Sequence, residues 1–335
     1  MLLRRCLFLL VLLLVACQPL APLRTPLPSA ATWPPTSRNQ NSSDVHASTP
    51  TGTSLPTSTE IAAGSDSTPL DPSIPAITPE TYSTPGPPPL PLSIGLEPAD
   101  WKNWPIVPIV TERARTIYRI GQILGNDAHA FSVLGDCQSE PKVFMGVYET
   151  DPTATAALSI PLMETVVWFT GSFNRKSPTV RGGTTTAALL WSAWHQNKYT
   201  CTIYESPLTC ELRIHKPAFV IIHVGTHYET GNVDYMRMIL DQLIAAGVVP
   251  ILTSKADDRE LDDHVNTGYA QLAAEYNIPF WNFWAAVEDL PNRGLYTRPD
   301  AVYQGDLYLI DEALAIHRLS ALQTLDAVRR AVAEP

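Results

Sequence analysis

Basic residues are scarce. Lys and Arg number 23 against 33 Asp and Glu in 335 residues, a formal net charge of −10. That balance argues against nucleic acid or an anionic membrane surface as the partner, and it says nothing of fold. Long hydrophobic runs are missing too. The longest lies in the opening stretch MLLRRCLFLLVLLLVAC, where two arginines precede an apolar run of about ten residues, well short of the roughly 20 that a spanning helix needs. No internal repeat is visible, which sets repeat architectures aside. Cysteine is sparse, with five in the chain, so a small disulfide-stapled scaffold is excluded and each thiol can be considered alone.

The opening stretch has the charged start and short apolar centre of an export signal. It ends in Leu14-Val15-Ala16-Cys17, which resembles the bacterial lipobox, in which the cysteine is lipidated and becomes the mature N-terminus. Residues 1–16 are therefore expected to be a signal peptide and Cys17 a membrane anchor on the outer side of the cytoplasmic membrane. Residues 17–95 are rich in Pro, Ser and Thr and hold more than half of the 31 prolines. Such a segment buries too little to offset its ordering entropy and stays extended, so it reads as a stalk. Cys6 and Cys17 belong to the leader. Cys201 and Cys210 lie close together in KYTCTIYESPLTCEL, and an exported protein meets an oxidising environment, so a Cys201–Cys210 disulfide is expected. Cys137 is the odd one left.

Globular texture runs over 96–335. Short apolar runs recur at FSVLG (131–135), TVVWF (165–169), AFVIIHVG (218–225), VVPILT (248–253) and IPFWNF (278–283), and their length and β-branched content favour strands buried on both faces. Helical patterns lie between them over 184–197, 233–247 and 265–277, and a closing one spans 311–334. The alternation predicts an α/β fold, a three-layer sandwich around a five-stranded parallel sheet. In such sheets ligands bind where loops leave the C-terminal strand ends. Three of those ends are unusual: Gly135-Asp136-Cys137, the glycine pair in TVRGGTTT, and Gly225-Thr226-His227. A nucleophile after one strand and backbone donors after two others is the layout of acyl transfer.

Over roughly 125–330 these motifs resemble the SGNH (GDSL-type) hydrolases, esterases and lipases with a flavodoxin-like three-layer fold. The resemblance implies that Cys137 stands at the nucleophile position of a Gly-Asp-Ser. It implies that Gly183 or Gly182 donates to the oxyanion, and that His227 stands where an oxyanion asparagine would be. It also places Asp300 as the orienting acid, with Tyr303 where the catalytic histidine would be; no Asp-x-x-His occurs in the chain. It implies an acylated carbohydrate or other small ester as ligand, no cofactor and no metal, and a monomeric domain. Three of the four catalytic side chains depart from the family pattern. A Cys137–His227 dyad, weak hydrolysis by other groups, and no meaningful hydrolysis all stay open. So does a purely non-catalytic binding role.

Other features read more plainly. His317 lies six residues after Asp311, about 120° away on a helix, so the two make no acid–base unit and His317 reads as packed. His195 and His215 read as surface or loop histidines. The acidic group Asp257, Asp258, Glu260, Asp262 and Asp263 reads as a solvated loop rather than a metal site. Trp191, Trp194, Trp281, Phe283 and Trp284 crowd the expected cleft and suit either sugar stacking or core packing.

Overall fold

The structure, a computed structural model, describes residues 90–195, 199–296 and 308–334. Cys17, most of the stalk, Asp300 and Tyr303 lie outside the described residues.

Four parallel strands cross the sheet in chain order: β1 (Asp127–Gly135), β2 (Pro217–His223), β3 (Val249–Thr253) and β4 (Phe280–Trp281). β2 and β3 are buried at every position, which is why their segments are apolar without alternation: both faces are covered. The register pairs Gly135 with His223, Ile222 with Leu252 and Thr253 with Trp281. The C-terminal strand ends therefore finish nearly level, and the loops that leave them share one rim.

Among the described residues the sheet has four strands, not the five expected. The run over 165–169 is the end of a helix, Ile160–Trp168, which Ser159 precedes and Pro161 helps to start. A short apolar run cannot be told from one face of a helix by hydrophobicity alone, and here the face is real: Thr165 and Val166 are buried while Val167 points outward. The strand expected over 278–283 shrinks to two residues because the Asn282 side chain caps the next helix, its Oδ1 accepting from the Ala285 N–H at 3.3 Å. The helix expected over 184–197 is also shorter. It covers Thr186–Leu190, followed by a separate turn of 3-10 helix at Ser192–Trp194. Trp194 is folded back by its indole N–H on Thr184 Oγ1 (3.2 Å) and by the Arg181 guanidinium over its ring.

The remaining helices fall where expected or fill gaps. The longer ones, numbered in chain order and including Ile160–Trp168, are α1 (Glu112–Leu124), α2 (Ile160–Trp168), α3 (Pro207–His215), α4 (Asn232–Ala245), α5 (His264–Tyr276) and α6 (Asp311–Ala333). α1 stops at Gly125, whose left-handed φ of 84° lets its N–H return to Gln122 and Gly121 carbonyls. α3 begins on Ser206, which accepts from Thr209 N–H at 3.1 Å, with Pro207 at the first position. One sheet face presents Phe131, Phe219 and His223 to α1, α2 and α6, through Tyr118 on Phe219, Phe169 on Phe131, and His317 on His223. On the other face Ser132 meets Glu211 of α3 at 2.5 Å, and α4 and α5 pack on each other and on β3. Packing starts slightly before residue 96: Ile94 is in the core and Pro91 accepts from the Glu112 N–H at 2.8 Å. The sulfurs of Cys201 and Cys210 are bonded, tying α3 to the loop before it.

Candidate functional site

The corner at the end of β1 is built by packing of small residues. The 179–181 segment lies beside Gly135: Gly135 N–H donates to Thr179 O at 3.1 Å and Arg181 N–H to Gly135 O at 3.2 Å. A Cβ on Gly135 would fall 2.1 Å from Ser139 Oγ, so glycine is required there by contact. Asp136 then caps a turn of 3-10 helix, Cys137–Ser139, by accepting from Gln138 N–H at 3.0 Å. This leaves the Cys137 thiol half-buried at the rim. The Arg181–Thr184 turn closes with Thr184 N–H on Arg181 O at 3.1 Å and needs φ of 80° at Gly183, the geometry that glycine supplies at no steric cost. A Cβ on Gly182 would stand 3.8 Å from the Cys137 Cβ. Of the two glycines proposed as oxyanion donors, Gly182 thus abuts the thiol and Gly183 makes the turn.

Electrostatics at this corner oppose a thiolate. Burial pushes the Cys137 thiol up to about 11, and the neighbouring Asp136 carboxylate adds to the rise. Burial likewise pushes Asp136 up to about 7, against the Gln138 N–H that lowers it. The backbone N–H groups of Cys137 and Gln138 lower the thiol, but by less than burial and Asp136 raise it. His227, the candidate partner, sits at the next loop with its pKa lowered by burial and then by Arg259, and no hydrogen bond joins it to Cys137.

The His227 loop is held by a charge cluster that sequence reading missed. Lys255, 2% exposed, donates to Asp257 O at 2.8 Å, Asp257 Oδ1 at 3.0 Å and Glu260 Oε2 at 2.5 Å. Asp257 Oδ2 accepts from Thr226 Oγ1 at 2.7 Å, and Arg259 Nη1 donates to Thr226 O at 3.2 Å. The acidic loop is therefore not simply solvated. Asp257 and the Glu260 side chain are buried against Lys255, while Asp262 is exposed and pairs with His264. Among the described residues no group of three or more potential ligands gathers to hold a metal. The lysine after LTS in PILTSKADD was the available signal, since a cation leaving a fully buried strand must find acids.

The crowded aromatics divide. Trp281 and Phe283 are fully buried core, whereas Trp191 is 60% exposed and Trp194 is partly exposed, lining a groove with Arg181. His215, read as a loop residue, ends α3 half-buried; its Nε2 lies 3.1 Å from Phe131 O and burial pushes it down to about 4. His195 Nε2 donates to Thr202 O, 3.0 Å away.

Below the rim lies a histidine pair. His223, at the end of β2, places Nδ1 3.1 Å from Ser139 Oγ. Its ring is 4.7 Å from that of His317, which is fully buried among Phe144, Trp281 and Phe283, neither nitrogen hydrogen-bonded among the described residues. Burial lowers His317 well below its ordinary value, and His223 and Arg318 add to the drop; burial puts His223 at about 4. His317 is thus neutral in the fold but takes up a proton in the unfolded chain below its reference pKa of about 6.5. Its contribution to stability falls as pH drops from there towards its lowered native value, by up to about 1.4 kcal/mol per pH unit. His317→Leu should therefore gain on the parent progressively as pH falls from 7 to 4, in urea titrations at each pH. A difference independent of pH would show that His317 is not a buried neutral group.

No family model matches the chain, and no curated protein does. Among solved structures, a GDSL-like lipase from Bacteroides thetaiotaomicron VPI-5482 aligns with 16% identity over 69% of this chain and 99% of its own, at a TM-score of 0.39. A protein assigned as an acylhydrolase from Bacteroides fragilis NCTC 9343 aligns with 14% identity over 64% of this chain and 95% of its own, at a TM-score of 0.40. Likeness at this level says nothing about chemistry, which has to be argued from the residues themselves.

Proposed function

We propose that this chain is an exported, lipid-anchored domain of the SGNH hydrolase type whose rim binds an acylated carbohydrate or similar small ester and turns it over slowly or not at all. The carrying observation is Cys137: it follows β1 and lies beside Gly182, where the motif resemblance would put an acyl-transfer nucleophile, yet its thiol is pushed up to about 11. The thiolate is the attacking form of cysteine. At neutral pH such a group is almost wholly protonated, and no described imidazole reaches it. The same observation favours a non-catalytic glycan- or ligand-binding role over brisk catalysis, because the rim and its backbone donors stay while the attacking group is silenced.

The test is the alkylation rate of the whole protein in detergent. With Cys17 acylated and Cys201 bonded to Cys210, Cys137 is the only free thiol of the mature chain. It should react with iodoacetamide at pH 7.5 on the order of 10²-fold more slowly than free cysteine, whose pKa is about 8.5. Reaction as fast as free cysteine, together with ester hydrolysis abolished by Cys137→Ala, would overturn the reading in favour of a Cys137–His227 dyad. The anchor rests on Leu14-Val15-Ala16-Cys17, and a single acyl chain alone would hold only weakly. Mass spectrometry of the membrane fraction should find a mature chain starting at multiply acylated Cys17; an unmodified start elsewhere excludes it.

A further inference from the structure

A groove of about 270 Å³ opens at the rim, bounded by Lys142, Asn174, Lys176, Arg181, Trp194 and Tyr199. It sits near the lower end of small-ligand clefts, roughly 300–1,000 Å³. Its position follows from the site: Arg181 immediately precedes Gly182, which abuts Cys137, and Glu140, also on the groove wall, follows the Cys137–Ser139 turn.

Its charge runs against that of the molecule. Within a chain of net charge −10, three cations and one acid face this groove. The acid is already neutralised, since Glu140 pairs with Lys142 at 3.1 Å. Lys176 and Arg181 have no carboxylate partner among the described residues. Arg181 is fixed in place: its guanidinium lies 4.6 Å from the Trp194 ring and donates to Trp194 O at 3.2 Å. A guanidinium held in this way has lost its side-chain freedom before any ligand arrives, so little further entropy is lost when an anion binds it. Trp194 and Tyr199 add apolar ring surface beside the charges, and the Asn174 side chain offers both a donor and an acceptor.

We propose that this groove binds an anionic carbohydrate, a sugar carrying a carboxylate, with Lys176 and Arg181 facing the acid and Trp194 and Tyr199 against the ring. The proposal rests on the reading of the rim as a carbohydrate-ester site and narrows its ligand class. A neutral sugar would leave two cations without a counter-charge. An aliphatic acyl chain would leave both the cations and the Asn174 amide unmatched. An acidic sugar uses the charge and the ring surface together.

Binding is measured without turnover, by calorimetric titration of the whole protein in detergent with an oligogalacturonate at low salt, beside a neutral malto-oligosaccharide of equal length. The acidic oligomer should bind and the neutral one should bind at least tenfold more weakly. Lys176→Glu and Trp194→Ala should each weaken the acidic oligomer at least tenfold, and added salt should weaken it in the parent. Equal binding of the two oligomers, binding unmoved by both variants, or preference for a nucleotide over the oligogalacturonate would overturn the proposal. An absence of binding would do so as well, and would leave the reading of Cys137 untouched. Fast alkylation of Cys137 would remove that reading and leave the groove.

Discussion

Replacing Lys255 by methionine should cost about 3–5 kcal/mol of folding stability, read as a fall in the urea midpoint. Methionine keeps much of the length and apolar stem of lysine, so the loss isolates the charge. Both acids it holds are out of water, with side-chain exposures of 5% for Asp257 and 0% for Glu260. A buried ion pair adds little net stability, because desolvation cancels most of the attraction, but removing one partner strands the other. Here one cation serves two carboxylates, and Glu260 Oε1 already has no partner among the described residues. The remedy follows from the same physics: Lys255→Met combined with Asp257→Asn and Glu260→Gln should recover most of the loss. The loss should also reach the rim, since Asp257 holds Thr226 beside His227. A cost below about 1 kcal/mol for Lys255→Met would mean that water reaches the cluster.

The contrast between this cluster and the sheet explains what could be read in advance. β2 and β3 were legible because burial on both faces leaves them apolar up to their last residues, His223 and Thr253, and an unbroken run of Phe219 to Ile222 has few other uses. The second run, over 165–169, has the same texture and is a helix, since only contacts with α6, such as Thr165 Oγ1 on Asp326 Oδ1 at 2.5 Å, decide which face it buries. Gly135 and Gly183 were legible because each fills a need, Gly135 of close contact and Gly183 of left-handed backbone. Lys255 was hidden because charged residues in a loop ordinarily face solvent, and only the fold brings Asp257 and Glu260 around it. His317 was placed correctly on its helix, yet its closeness to His223 joins elements far apart in sequence, and no periodicity shows that. The loop that would carry Asp300 and Tyr303 lies outside the described residues, so their part in the site rests on the motif alone.

The most demanding expectation concerns recovery of catalysis. Cys137→Ser, His227→Asn and Tyr303→His together should raise kcat/KM on a simple acetyl ester by about 10³-fold or more. A general base is typically worth about 10²–10⁴ in rate, and one oxyanion donor about 10²–10³. The single changes should do little. Serine at 137 without a base is a neutral alcohol at the corner that already keeps a thiol protonated. A histidine at 303 would restore the Asp-x-x-His spacing from Asp300, but the attacking group still sits next to Asp136, whose carboxyl burial pushes up to about 7. Groups that act as a unit are strongly non-additive, so the expected signature is a steep gain only when all three are present. The Gly182 and Gly183 turn needs no repair, because Thr184 and Arg181 already hold it closed. A parent protein that hydrolyses the ester as fast as the triple variant, and loses that activity on Cys137→Ala, would show that the thiol has found a base. A triple variant as slow as its single-change components, with its fold intact by circular dichroism, would show that this loop does not bring residue 303 to the rim.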